Sequence, residues 1–241
     1  MVLQQKMMLQ CLNLRGQCNS WSIIIISTMK NKKSLFQKFI RRIGSGQIIN
    51  TLYLSYYYSL LKIYDLMYST NFCNSQTPDE YDSVYRAGST GNFPAHPNIV
   101  KKMLQAYHLP KDIRIIDVGH GSGLPLHVAS KLGFSNLTGV EHGYYPYMLS
   151  KENLKPSIHL IHGDAFDIDY TEYELLFFFS PFRGELAKKF FEEIPENIVF
   201  IITVNHDRII EEVLLRRKYN EIFNYQHLVY LNFNGKVWKK E

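Results

Sequence analysis

The sequence predicts an α/β domain built on a mostly parallel β-sheet with helices on both faces, preceded by a helical N-terminal extension. Three observations predict it. After Pro110, short runs of Ile, Val, Leu and Phe alternate with amphipathic stretches, the pattern of strands buried on both faces and joined by crossover helices. The first of those runs leads directly into a loop with glycine at every second position, Gly119, Gly121 and Gly123. The chain's 241 residues accommodate one such domain plus an extension, since domains typically run to about 100–200 residues.

The elements follow in order. Leu35, Phe36, Phe39, Ile40 and Ile43, then Leu52, Leu54, Tyr57, Leu60, Leu61 and Tyr64, recur at three- and four-residue steps, so two helices are expected, broken near Gly44-Ser45-Gly46. Lys62 and Asp65 interrupt the second, which points to a helix packed on the domain or lying on a membrane face rather than crossing a bilayer. The Tyr56-Tyr57-Tyr58 triplet reads as packing. A loop from Asn71 to Pro97, rich in Ser, Thr, Asn, Gly and Pro, leads to a helix with Ile99, Val100, Met103, Leu104 and Tyr107 on one side. The extension is therefore assigned to 1–80 and the domain to 81–241. Within the domain, strands are expected at Ile113–Val118, Leu137–Glu141, Ile158–His162, Leu175–Phe179, Val199–Val204 and His227–Phe233. Helices are expected at Leu124–Leu132, Tyr147–Asn153, Gly184–Glu193 and Asp207–Leu215.

Composition narrows the class. With 46% hydrophobic and 20% charged residues, the chain is neither collagenous, nor disordered, nor a many-spanning membrane protein. The formal charge is +5, but Lys30, Lys32, Lys33, Lys38, Arg41 and Arg42 fall in a stretch without any carboxylate. That segment, 30–42, suits weak contact with nucleic acid or an anionic membrane surface, or simply a solvated helix face. Cys11, Cys18 and Cys73 match neither a zinc site nor an even-numbered disulfide framework, so a reducing, cytoplasmic setting is expected. The run Trp21–Ile26 is far shorter than the roughly 20 apolar residues a spanning helix needs, and no A-x-A-like cleavage site follows it. Residues 1–28 are expected to be disordered, with Met29 opening the more ordinary sequence.

The candidate site lies at the strand ends. Glycines in Asp117-Val-Gly119-His-Gly121-Ser-Gly123 let the backbone turn tightly and approach a ligand without a Cβ in the way. A dinucleotide fingerprint requires glycine or alanine at the last position of G-x-G-x-x-G; read from Gly119, that position is Leu124, which disfavours NAD. Glu141 ends the second strand, where a carboxylate can accept from both hydroxyls of a ribose. Gly163-Asp164-Ala165 ends the third, where an acceptor can meet an adenine amine. His120, His142, His162 and His206 also fall at strand ends, but at no metal-ligand spacing, and no metal is expected.

This ordered set resembles the class I S-adenosylmethionine-dependent methyltransferases over roughly residues 80–233. The resemblance implies a Rossmann-like methyltransferase fold and S-adenosylmethionine as cofactor. It sets Asp117, Gly119, Gly121 and Gly123 near the amino-acid portion, Glu141 on the ribose, and Asp164 and Ala165 near the adenine. Ser180-Pro181-Phe182 stands where many amine-directed members carry Asn/Asp-Pro-Pro-aromatic or Asn-Pro-Phe, and the serine is a departure. Those three residues are the expected substrate pocket, with Tyr85, Phe93 and Pro94 as looser candidates for a covering segment. Methyl transfer to an N or O nucleophile of a protein, RNA or small molecule is the implied reaction, without an assigned catalytic residue or oligomeric state. A non-catalytic methyltransferase-like scaffold is the alternative; an NAD(P)-dependent oxidoreductase is disfavoured by the glycine spacing.

Overall fold

The computed structural model describes residues 48–73, 95–227 and 233–241. The expected helix at Leu35–Ile43, the Trp21–Ile26 run, the basic segment 30–42, Cys11, Cys18, Tyr85, Phe93, Pro94 and the boundary near residue 80 lie outside the described residues. Two compact units divide the chain, Met1–Tyr53 and Leu54–Glu241, and the sheet with its helices belongs to the second.

Helix α1 covers Ile48–Tyr68 and α2 Pro97–Gln105; then come β1 (Ile115–Val118), α3 (Leu124–Lys131), β2 (Leu137–Glu141), α4 (Tyr144–Asn153) and β3 (His159–His162). They are followed by β4 (Leu175–Phe178), α5 (Gly184–Glu193), β5 (Phe200–Val204), α6 (Arg208–Arg216), β6 (Tyr219–His227) and β7 (Phe233–Lys240). The seven strands form one sheet in the order β3-β2-β1-β4-β5-β7-β6. Pairing is parallel from β3 to β5, and β7 runs antiparallel to both of its neighbours. No helix among the described residues is long and apolar enough to cross a membrane.

Every residue of β1, β2, β4 and β5 is buried, which explains why these strands read as continuous apolar runs rather than alternating ones. On one face α5 and α6 deliver Phe190, Phe191, Ile210, Val213 and Leu214 against Ile116, Leu176, Phe178 and Ile201. Elsewhere in the domain α2 buries Ile99, Val100, Met103 and Leu104, the helical i, i+1, i+4, i+5 set, behind a start capped by His96. In α1, Tyr57 and Leu61 are fully buried while Tyr56 is exposed, so the tyrosine triplet is divided between packing and solvent.

The expected strand His227–Phe233 lies, but for its two end residues, outside the described residues; His227 ends β6 and Phe233 begins β7, an antiparallel pair at the sheet edge. These two strands carry Asn220, Glu221, Asn224, Gly235 and several lysines and lack an apolar run; pairing with β5 rather than composition makes them strands. Gly235 lies where an added Cβ would meet the sulfur of Met103 at 2.9 Å, so glycine there lets α2 pack on β7. Helix α4 begins at Tyr144, not Tyr147, because Pro146 falls in the first turn, where its missing N–H has no intrahelical partner to lose. Helix α2 stops at Gln105, which leaves Tyr107 outside it, 40% exposed and against the ring of Phe200.

Trp238 on β7 is fully buried and its indole N–H donates to Thr203 Oγ1 on β5 at 3.0 Å. Trp238→Phe is expected to lower stability by about 2 kcal/mol, from lost contact area and an orphaned hydroxyl. A fall in the urea midpoint at unchanged m-value would show it.

Candidate functional site

Strand order reverses between β1 and β4, and in open sheets of this kind the crevice for a ligand opens beyond the carboxyl ends of the strands at that point. Four neighbouring strand ends meet there. β1 contributes Asp117 and the glycine loop, β2 contributes Glu141, β3 leads to Gly163-Asp164-Ala165, and β4 leads to Ser180-Pro181-Phe182.

Gly119, Gly121 and Gly123 have φ of 69°, 55° and 89°, in the left-handed region that side chains rarely adopt. Close approach adds a second requirement at two of them. A Cβ on Gly119 would stand 2.3 Å from Pro181 Cβ, and one on Gly123 would stand 2.5 Å from Leu154 Cδ1. The loops after β1 and β4 therefore touch across the reversal point.

Glu141 holds this loop. Its carboxylate accepts from the Gly121 N–H at 2.9 Å through Oε2 and from the Gly143 N–H at 2.7 Å through Oε1, which leaves each oxygen a further lone pair. Burial pushes the Glu141 carboxyl up, and the two backbone amides pull it back. Asp117 is 1% exposed, and its Oδ2 has no hydrogen-bond partner. Burial, and then the charge of Glu141, hold its carboxyl well above the usual carboxylate range. The site thus contains one carboxyl with both oxygens engaged and another with unused capacity.

His120, inside the loop, is buried, and its Nδ1–H donates to the Gly121 carbonyl at 2.8 Å; Nε2 is left without a partner. The ring lies where a Cβ on Gly139 would be 2.5 Å from Cδ2. Burial lowers the imidazole pKa to about 4. The unfolded chain takes up a proton near pH 6.5 that the folded protein refuses until about 4. His120 therefore leaves stability intact above that window and removes about 3 kcal/mol as pH falls through it, with no further loss below. His127 and His206 are shifted in the same direction, so the measurement is a difference: between pH 7 and 4 the urea midpoint of His120→Asn should fall less than that of the wild type.

The remaining strand ends are more occupied than their sequence suggested. Asp164 caps the turn Ala165–Asp167 by accepting from the Phe166 N–H at 3.0 Å. Tyr170 donates to the Ala165 carbonyl at 2.7 Å. Ser180 takes φ 41°, and its hydroxyl lies 2.9 Å from the Val204 carbonyl and 2.5 Å from that of Asn205. It acts as a donor binding the end of β4 to the end of β5. Phe182 is buried among Phe166, Phe178 and Phe190. Of the expected pocket trio only Pro181 is part-exposed.

Sequence reasoning missed the end of β5. Asn205 takes φ 55°, and Asp207 accepts from the Gly184 N–H at 3.0 Å, closing the β4 and β5 loops onto each other. The signal was an acid shortly after an apolar strand, the same one used at Glu141. His206 meets Glu211 Oε1 at 2.9 Å, and Lys236 bridges Glu211 and Glu221 at 2.8 and 2.7 Å. Among the described residues no group of three or more His, Cys, Asp or Glu side chains could hold a metal ion.

No family model matches the chain. In sequence it is similar to human EEF1A lysine methyltransferase 2, 29% identical over 85 residues, covering 31% of this chain and 36% of that protein. The chain thus matches about a third of the length of that relative. In structure it is similar to a ribosomal protein L11 methylase from Lactobacillus delbrueckii, with TM-score 0.50, 18% identity, and coverage of 67% of this chain and 91% of the other. A candidate RNA methyltransferase from Pyrococcus horikoshii gives TM-score 0.51 at 16% identity, covering 62% and 86%. The fold is that of the class I methyltransferases, a Rossmann-like sheet ending in an antiparallel hairpin.

Proposed function

We propose that this domain is an S-adenosylmethionine-dependent methyltransferase acting on an N or O nucleophile. The observation that carries the reading is the pair of buried carboxyls on adjacent strand ends, Asp117 and Glu141, flanking three left-handed glycines at the sheet's reversal point. The residues fit the cofactor. The three left-handed glycines give a loop without side chains at alternate positions, Glu141 keeps lone pairs for ribose hydroxyls, and Asp117 Oδ2 is an unsatisfied buried atom. An ammonium group beside Asp117 would favour its ionised form, because an opposite charge offsets the burial that pushes its carboxyl up. Asp164 and Ala165 form the adenine end.

Bound there, S-adenosylmethionine supplies an electrophilic methyl group. The chain's own contribution is positioning and exclusion of water. Pro181, pressed against Gly119, fixes the acceptor-side loop relative to the donor-side loop. Ser180 acts through its bonds to Val204 and Asn205, which hold that loop in its strained form, rather than by offering a free hydroxyl to the acceptor. Phe182 supports the same loop from the core. The acceptor belongs to a protein, an RNA or a small molecule; the names of the similar proteins include both of the first two classes.

Isothermal titration of the folded chain with S-adenosylmethionine and S-adenosylhomocysteine tests the reading. Micromolar binding supports it, and binding of neither overturns it. Transfer of a labelled methyl group to protein, RNA or metabolite pools then separates an enzyme from a binding module of the same fold.

A further inference from the structure

The turn that follows α1 is built around one carboxylate. Asp65, 6% exposed, accepts from Thr70 Oγ1 at 3.0 Å, from the Phe72 N–H at 2.8 Å and from the Cys73 N–H at 3.0 Å. The chain reverses at Ser69, whose φ is 54°, and drives Phe72 into complete burial. There Phe72 packs on His127 of α3, with ring centroids 5.3 Å apart, beside Tyr64 and Tyr68. Asn71 then reaches α4: its N–H donates to Asn153 Oδ1 at 2.7 Å. The other end of the same side chain, Nδ2, donates to the Ser122 carbonyl at 3.1 Å.

Ser122 lies between Gly121 and Gly123. One buried amide, 9% exposed, thus spans from the turn at 69–73 to the glycine loop. Its orientation is determined by its partners, since a backbone N–H can only donate and a carbonyl can only accept. The neighbouring residue Leu154 and the α4 residue Ser150 crowd the missing Cβ of Gly123. Glu141 restrains the loop from one side and Asn153 restrains it from the other.

We infer that Asn153 is a positioning residue for the glycine loop, and that through it the docking of the α1 turn sets the order of the loop that holds the cofactor. The cofactor half of this inference rests on the function proposed above; the mechanical half does not. Asp65 touches neither the loop nor the carboxylates of the site, so a change there reaches the loop only through the turn, Asn153 and the His127 contact.

The test uses the full chain and two mild variants. Asn153→Asp keeps an acceptor for Asn71 and sets a second oxygen against the Ser122 carbonyl. Asp65→Asn keeps one acceptor and turns an NH2 toward a backbone N–H of the turn. Hydrogen exchange without ligand is read at Gly121 and Gly123, whose amides are bonded to Glu141 and to the His120 carbonyl, with Ile201 in β5 as a reference for global opening. Both variants should speed exchange at the two glycines about tenfold relative to Ile201, the scale of one hydrogen bond. The double variant should add little to Asn153→Asp alone. In binding, both should raise the Kd of S-adenosylhomocysteine about tenfold and the KM for S-adenosylmethionine with kcat unchanged.

Fast exchange confined to residues 71–73 in Asp65→Asn, with the glycines still protected, overturns the inference. Full additivity of the two substitutions also overturns it. If the wild type binds no S-adenosylhomocysteine, the proposed function falls, and the exchange data still decide whether Asn153 links the turn to the loop.

Discussion

Gly119→Ala is expected to weaken S-adenosylhomocysteine binding at least about a hundredfold and to lower the stability of the domain by about 3 kcal/mol. Two separate penalties meet at this position. Its φ of 69° costs an L-residue roughly 1–2 kcal/mol. The new methyl would also stand 2.3 Å from Pro181 Cβ, closer than carbon atoms approach, and proline has no rotamer by which to withdraw. Either the loop after β1 or the loop after β4 must move, and both line the proposed cleft. Gly133 separates the two effects. Its φ is 87°, but nothing lies within 4 Å of its missing Cβ, so Gly133→Ala should bear only the backbone penalty and leave binding unchanged. Equal loss of affinity in the two variants would show that the contact with Pro181 is irrelevant.

The second large effect is expected of Glu141→Gln. The substitution preserves shape, yet both partners of this carboxylate, the Gly121 and Gly143 amides, are donors. Glutamine offers one carbonyl and one NH2, so one amide faces another donor in a buried setting. The loss should be about 2–3 kcal/mol of stability, together with a hundredfold or greater rise in the Kd of S-adenosylhomocysteine. Removing the charge also relieves Asp117, whose carboxyl Glu141 helps to hold up. The amide left facing a donor outweighs that relief. Thermal unfolding and calorimetry on one sample measure both terms. Retention of wild-type stability and affinity would remove Glu141 from the site.

Strands β1 to β5 were legible to within a residue or two: β1, β2, β4 and β5 are buried on both faces, which writes itself as an uninterrupted apolar run, and the more exposed edge strand β3 still has Ile158, Leu160 and Ile161 in and beside it. The hairpin was not. β6 and β7 are held by pairing at the edge and by Lys236 set between two glutamates, and such strands carry polar residues that resemble loop. The apolar run at 228–231 drew the expected strand, and β6 and β7, which end and begin on either side of it, went unexpected.

Sequence by itself determined the order of strands and helices from β1 to α6, the place of the glycine loop, and the grouping of Asp117, Glu141 and Asp164 at successive strand ends. These features are local: apolar runs, glycine spacing and an acid at a run's end are set by residues within one element. Tertiary structure alone decided what the polar groups do. Glu141 clamps Gly121 across 20 residues, Ser180 binds carbonyls 24 and 25 residues away, and Asn153 joins Asn71 to Ser122 across 82 and 31. A hydrogen bond between distant residues depends on strand register and on the angle at which helices pack, and no single segment of the chain encodes either.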